Sequence, residues 1–307
     1  MAYEISSANG HYALLDAIRL FVETTVPAAQ RYIVMREVTT GTDREVIWKA
    51  PGYSGDEEIY MGIKTYQSIT LDYYNFKIGV FTGYVSSNTF ESQPGNITMI
   101  GIPLWNQVIP YVLHANGARI VLSAKIETIY NSLYLGKFLP YATPTQFPYP
   151  VFSGGCLENA TNTRYSDTIY KNWFKGVTSR ALMRKIDGSW FSPYTSEYYD
   201  HLEVQGNTGG VGDKDIKHQL RNVSELSTNA AGWYGLLPIV LSYSNPEGLF
   251  YMSDNNADVF GELDGVFYIS GFNNAVENTI VSNGIPYYIT RDAWRTGFND
   301  YLAIKLD

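Results

Sequence analysis

Cysteine is nearly absent: Cys156 stands alone among 307 residues, so no internal disulfide can form and folding does not depend on oxidation. Charge is scarce as well. Lys, Arg, Asp and Glu make up 17% of the chain, against about 25% in an ordinary soluble protein. Basic patches are missing. Net charge is −8, and the nearest approach to a cluster, Arg180, Arg184 and Lys185, is too small to hold a phosphate backbone, which excludes nucleic acid as a partner. No stretch approaches the roughly 18 uncharged apolar residues of a membrane-spanning helix. Residues 1–25 lack the basic start and apolar block of a secretion signal and carry Glu4 and Asp16, so a cytoplasm is the expected folding compartment. The histidines, His11, His114, His201 and His218, have neither i, i+4 nor H-E-x-x-H spacing, and no metal or cofactor is expected from them.

What the chain does have is tyrosine. Its 26 tyrosines outnumber all Lys and Arg together, which total 22. Interface cores are enriched in aromatics and depleted in Lys, Glu and Asp, so the composition suits either a permanent assembly or a Tyr-rich β-protein with a neutral polar surface.

The hydrophobic pattern predicts an α+β fold, mostly antiparallel. Leu14, Leu15, Ile18, Phe21 and Val22 form one apolar helical face, with Asp16, Arg19 and Glu23 opposite and Pro27 as the stop. This amphipathic helix is expected to open the protein. The period then changes to two, giving strands around Tyr32–Val38, Val46–Trp48, Ile59–Ile63 and Phe76–Val80. Asn116-Gly117 between two β-patterned runs predicts a type I′ hairpin, and Asn283-Gly284 predicts a second. Pro110 and Pro286 place those positions at a strand edge or bulge. Residues 139–150, LPYATPTQFPYP, hold four prolines and are neither helix nor central strand. Residues 1–150 read as helix, meander and hairpin, 151–235 as a loop-rich excursion, and 236–307 as a second antiparallel region packed with the first. Strands are expected there at Leu236–Tyr243, Leu249–Met252, Val266–Ser270 and Tyr301–Leu306.

Catalytic motifs fail on inspection. Gly52-Tyr53-Ser54-Gly55 has Asp56 where a nucleophile elbow needs its last glycine. Gly212 is followed by Asp213, not the Lys of a phosphate loop. Asp200-His201 beside Ser196 is triad material only by adjacency. Cys156 has no basic neighbour to lower its pKa and reads as an inert, partly buried thiol. His114, flanking the Asn-Gly turn, is expected at the surface. Asp254-Asn255-Asn256-Ala257-Asp258 begins like a calcium loop, but Val259 and Gly265 stand where that loop needs its glycine and its glutamate. An Asx-rich turn is the plainer reading, and a looser calcium site from Asp254, Asp258 and Glu262 the weaker one.

Several runs, taken in order, carry a resemblance. They are YALLDAIRLFVE (12–23), Ala50-Pro51-Gly52, DEEIYMGIKTY (56–66), Tyr74–Tyr84, Pro103-Leu104-Trp105-Asn106, Ala115–Ile120 and the proline-rich 139–150. GELDGVFYI (261–269), Arg291-Asp292 and Arg295-Thr296-Gly297 continue the series. The order resembles structural proteins encoded in the tail gene clusters of tailed bacteriophages, particularly contractile-tailed ones, over about two thirds of the chain. The resemblance implies a non-enzymatic virion protein of baseplate, tube end or neck, assembled in the host bacterial cytoplasm. It also implies a ring-forming homo-oligomer of three- or six-fold symmetry touching tube, sheath or baseplate subunits.

In such a subunit Trp105, Phe138, Tyr141, Phe147 and Tyr149 are the candidate interface anchors, because a proline-fixed loop loses little entropy on docking; the loop could instead pack on its own sheet. Two other readings compete: a receptor- or carbohydrate-binding module of the particle, and an enzyme such as a wall hydrolase. With the Asx-rich turn as the plainer reading of 254–262, neither added calcium nor a chelator should move the melting temperature; a rise of several degrees with calcium would restore the metal site.

Overall fold

The computed structural model describes residues 2–96, 99–167, 172–174, 180–192, 235–244, 257–297 and 300–307. The chain opens with β1 (Ala2–Asn9), followed by α1 (Gly10–Leu20). The helix ends in a single π turn over Phe21–Thr25, closed by Val26 N–H to Phe21 O at 3.1 Å. Five strands then form a meander: β2 (Ile33–Thr40), β3 (Asp43–Ala50), β4 (Ile59–Ser68), β5 (Tyr73–Phe81) and β6 (Ile100–Leu104). Next come β7 (Val108–Ala115), β8 (Arg119–Ile126), β9 (Ile129–Lys137) and the short β10 (Leu139–Pro140). The rest of the chain supplies β11 (Val151–Gly154), β12 (Ala181–Arg184), β13 (Trp190–Phe191), β14 (Leu237–Ser244), β15 (Ala257–Tyr268), β16 (Thr279–Ser282), β17 (Ile285–Arg291) and β18 (Tyr301–Lys305).

These strands make three sheets, antiparallel at every described pairing. The first has order β2-β3-β4-β5-β6, the second β1-β7-β8-β9-β11-β12-β13, and the third β10-β15-β18-β17-β16 with β14 also on β15. The fold class is therefore the expected α+β, mostly antiparallel, with α1 as its helix.

The second sheet lies between the other two. Alternate residues of its strands go to opposite cores. Ile120, Leu122 and Ala124 of β8 and Leu133 and Leu135 of β9 pack with Val46, Trp48, Met61, Ile63, Phe76 and Ile78 of the first sheet. The same core takes up Leu14, Leu15, Ile18, Phe21 and Val22, the apolar face of the helix. Val121 and Tyr134 point the other way, joining Phe152, Leu263, Val266, Leu302 and Ile304 in a second core against the third sheet. A sheet covered on both faces needs apolar residues in unbroken runs. That is why Tyr111–Ala115 and Arg119–Ala124 are buried at every position and show no solvated face, their polar members His114, Arg119 and Ser123 being bonded internally.

Several expectations need correction. A strand, not the helix, opens the described chain. β1 is an edge strand paired to β7 alone, and Ser6, Ser7 and Asn9 face solvent, so it carries no alternating apolar signature. The two Asn-Gly pairs also differ. Asn283 (φ 52) and Gly284 (φ 79) form the expected type I′ turn between Ser282 and Ile285. Asn116 and Gly117 both keep negative φ. There the Asn116 side-chain oxygen accepts the N–H groups of Ala118 and Arg119 at 2.9 and 3.1 Å, and this Asx turn replaces the mirror-image geometry.

Residues 151–191 are not loop alone, since β11 pairs with β9 and β12 with β11, widening the middle sheet. Pro110 pairs only with β1 and Pro286 only with β16 within the ladders. Each position lacks a strand partner on its other side, which tolerates the missing N–H. The glycine cluster 206–212, Asp200-His201, Ser196, the strand at 249–252 and Asp254 lie outside the described residues.

Phe138 and Phe147 sit in the second core with essentially no exposure, ring edges 5.5 Å apart by centroid. Phe138→Ala should cost the isolated protein about 3–5 kcal/mol, read as a lower urea midpoint. An unchanged midpoint would mean that the ring serves something other than this core.

Candidate interaction surface

The most chemically distinctive cluster joins the middle and third sheets. Arg119 begins β8 on the side facing the third sheet and is fully buried. Its Nε donates to Asp264 Oδ2 at 2.9 Å, and Nη1 lies 2.6 Å from His114 Nδ1. The same carboxylate oxygen accepts Asn116 Nδ2 at 2.8 Å and the Tyr53 hydroxyl at 3.2 Å, while Asp264 N–H donates to the Tyr134 hydroxyl at 3.2 Å. Tyr53 comes from the turn between β3 and β4, so all three layers meet here. Gly265, at φ +69, leaves room for the guanidinium: a Cβ there would lie 2.0 Å from Arg119 Nη2. Burial opposes ionisation of Asp264, yet Arg119, Asn116 and Tyr53 together hold its pKa below the usual carboxylate value.

His114 is thus not the surface residue its position beside a turn suggested. It is fully buried. Because a guanidinium can only donate, His114 Nδ1 must accept, and Nε2–H is left to face the Asp307 carbonyl at 3.4 Å. With both nitrogens engaged, the imidazole has no free lone pair to act as a base. A second junction centres on Asn172, whose N–H donates to Asp292 Oδ1 at 2.6 Å and whose Nδ2 donates to Tyr130 O at 2.9 Å. Cys156 Sγ donates to Asn172 Oδ1 at 2.8 Å, and burial pushes its thiol pKa up strongly. The cysteine is fully buried, not partly.

Among the described residues no group of three or more His, Cys, Asp or Glu is placed to hold a metal. Of the calcium candidates, Asp258 lies on β15, its side chain outside the described set, and Glu262 accepts the Tyr141 hydroxyl at 3.0 Å.

The five predicted anchors separate. Phe138 and Phe147 are interior and reach no partner surface. Trp105 is half-buried, its Nε1 donating to Val108 O at 3.2 Å and its ring edge-on to Tyr165. Tyr141 and Tyr149 are exposed, at 59% and 37%, and the Arg184 guanidinium lies 5.3 Å from the Tyr149 ring centroid.

Sequence reasoning missed a different surface, the edge of β1, which has no strand on its outer side among the described residues. This strand pairs with β7 through eight continuous positions without a bulge. It contains no Lys, Arg or Pro, and its one acid, Glu4, accepts the Tyr111 hydroxyl. Tyr3, Ile5 and the adjacent Val108 are about half exposed. Proteins normally protect an open edge with Lys, Pro, a bulge or a covering segment, and β1 itself carries none of the first three. No signal short of the pairing itself would have found it, because Ser6-Ser7 breaks the apolar alternation.

No protein-family model and no curated protein matches this chain. Among the described residues no helix is long and apolar enough to cross a membrane.

Burial, with Arg119 beside it, lowers the pKa of His114 to about 3, and burial lowers that of His11 to about 4. An unfolded imidazole takes up its proton near 6.5. Stability contributed by the two neutral rings is therefore complete above pH 6.5 and is lost as pH falls toward 4 and 3. Between pH 7.5 and 5 the loss should be about 2 kcal/mol per ring. Urea unfolding at the two pH values checks this, and His114→Gln should remove about half of the difference.

Proposed function

We propose that this protein is a non-enzymatic structural subunit of a bacteriophage tail, a ring component of baseplate, tube end or neck that acts through protein–protein contacts. The observation that carries the reading is the β1 edge, which has no strand on its outer side among the described residues and no Lys, Pro or bulge of its own. Alternate positions along its eight residues direct N–H and C=O away from β7, where no strand pairs with them among the described residues, and exposed Tyr3, Ile5 and Val108 flank that side. Such an edge invites strand addition, and an assembly that buries it removes the hazard of indiscriminate pairing. Scarce surface charge fits the same use, because few like charges oppose close packing of copies. A head-to-tail contact of this kind closes into a ring when its rotation allows.

A second reading, a glycan- or receptor-binding module of the particle, rests on exposed Tyr141 and Tyr149. Against it, the Tyr141 hydroxyl is bound to Glu262 and Arg184 already lies over the Tyr149 ring, which leaves little free stacking surface.

The test is to separate a lysate of the source culture into sedimenting particles and soluble protein and to quantify the chain by mass spectrometry. A fixed low copy number in purified particles is the expected result, and absence from particles sinks the proposal. Ile5→Lys sharpens the test. The isolated variant should keep its stability within about 0.5 kcal/mol, as an exposed substitution does, yet incorporate poorly. Wild-type incorporation would remove the β1 edge as the contact.

A further inference from the structure

Asn-Gly occurs three times in the chain, at 9–10, 116–117 and 283–284. In this dipeptide the backbone nitrogen of glycine, unhindered by a Cβ, can attack the preceding carboxamide carbon. The attack needs that nitrogen free of a hydrogen bond, the carboxamide free to turn, and access to water. The fold treats the three pairs differently.

At Asn9 the side chain is exposed, but Gly10 N–H donates to Gln107 O at 2.9 Å. At Asn116 the residue is 4% exposed and its carboxamide is locked, accepting from Ala118 and Arg119 and donating to Asp264. At Asn283 nothing is engaged. The residue is exposed at a hairpin tip, and among the described residues no hydrogen bond uses its carboxamide or Gly284 N–H. Nothing lies within 4 Å of the position a Gly284 Cβ would take.

We infer that Asn283 is a site of spontaneous deamidation, with water as co-reactant, and that the fold protects Asn9 and Asn116 from the same reaction. The Gly284 nitrogen gives its proton to hydroxide or water and bonds to Asn283 Cγ, and the side-chain nitrogen leaves as ammonia. Water then opens the five-membered imide. Breaking the bond from nitrogen to Cγ yields aspartate in an ordinary backbone. Breaking the bond to the α-carbonyl yields isoaspartate, with the chain routed through Cγ. The net change is carboxamide plus water to carboxylate plus ammonium, with no redox step.

Either product places a negative charge at the tip of the β16–β17 hairpin. Isoaspartate also adds a backbone atom to a two-residue turn whose Ser282–Ile285 register has no slack, loosening β16 and its exposed Val281 from β17.

The native protein would be held in mildly alkaline buffer, sampled over days, digested, and mapped by mass spectrometry with aspartate and isoaspartate peptides separated. The Asn283 peptide should convert at least about tenfold faster than those of Asn9 and Asn116, whose reaction waits on local opening. In denaturant the three rates should approach one another. Equal rates in the folded protein, or an inert Asn283, would overturn the inference. An Asn116 that stays inert in denaturant would overturn the protection argument.

Discussion

The ion pair between Arg119 and Asp264 is the constraint around which the layers are arranged. Two charges with little or no contact with water are costly to bury, and this pair is retained with contacts from the β7–β8 hairpin, from Tyr53 and from Tyr134. Asp264 is met by β8, by the Asx turn and by the loop after β3, while the far side of Arg119 is closed by a neutral His114. Removing the carboxylate would strand a buried guanidinium, a change that costs about 3–5 kcal/mol in comparable cases. Registry is what such a pair can give that an apolar contact cannot. Leucines in the second core could slide past one another, whereas the guanidinium meets its carboxylate at one relative placement of the middle and third sheets.

Tyrosine serves the same end. Composition alone left the many tyrosines open to two uses, an assembly surface or a Tyr-rich β-protein with a neutral polar exterior. Several instead turn the ring inward, wholly or in part, and bond the hydroxyl to a backbone carbonyl, distant in sequence for Tyr32, Tyr66 and Tyr268 and local for Tyr134. Tyr32 donates to Asn116 O at 2.9 Å, Tyr66 to Thr161 O at 2.9 Å, Tyr134 to Lys137 O at 2.7 Å and Tyr268 to Phe174 O at 2.8 Å. Burial pushes the phenols of Tyr32, Tyr66 and Tyr134 to higher pKa, so they remain neutral donors across physiological pH. A chain poor in charge thus obtains directional contacts without the desolvation cost of more ion pairs.

Legibility from sequence followed the physics of each layer. The first sheet alternates because one face is core and the other partly solvated, so Val46, Trp48, Ile59, Met61 and Ile63 were readable at once, as was the helix that packs on them. The middle sheet was recognisable as strand but not as a central layer, because a run buried on both faces looks the same whichever sheet covers it. β1 was unreadable: an edge strand needs no pattern beyond the backbone. Neither was the polar junction visible, since Arg119 and Asp264 are 145 positions apart and nothing local marks either as buried. Asn116 misled for a definable reason. Its side chain found the backbone N–H groups of Ala118 and Arg119, and that local bond outweighed the usual turn preference of Asn-Gly.

The sandwiching of the middle sheet also bears on how the molecule breathes. β8 and β9 are flanked by strands on both sides, and their faces are sealed by a different sheet above and below. Water therefore reaches their amides only after an outer layer has lifted and a neighbouring strand has parted. Those openings approach global unfolding in free energy, so deuterium should enter β8 and β9 last and at nearly one common rate. The outer strands β2 and β16, each paired on one side alone among the described residues, would fill long before them.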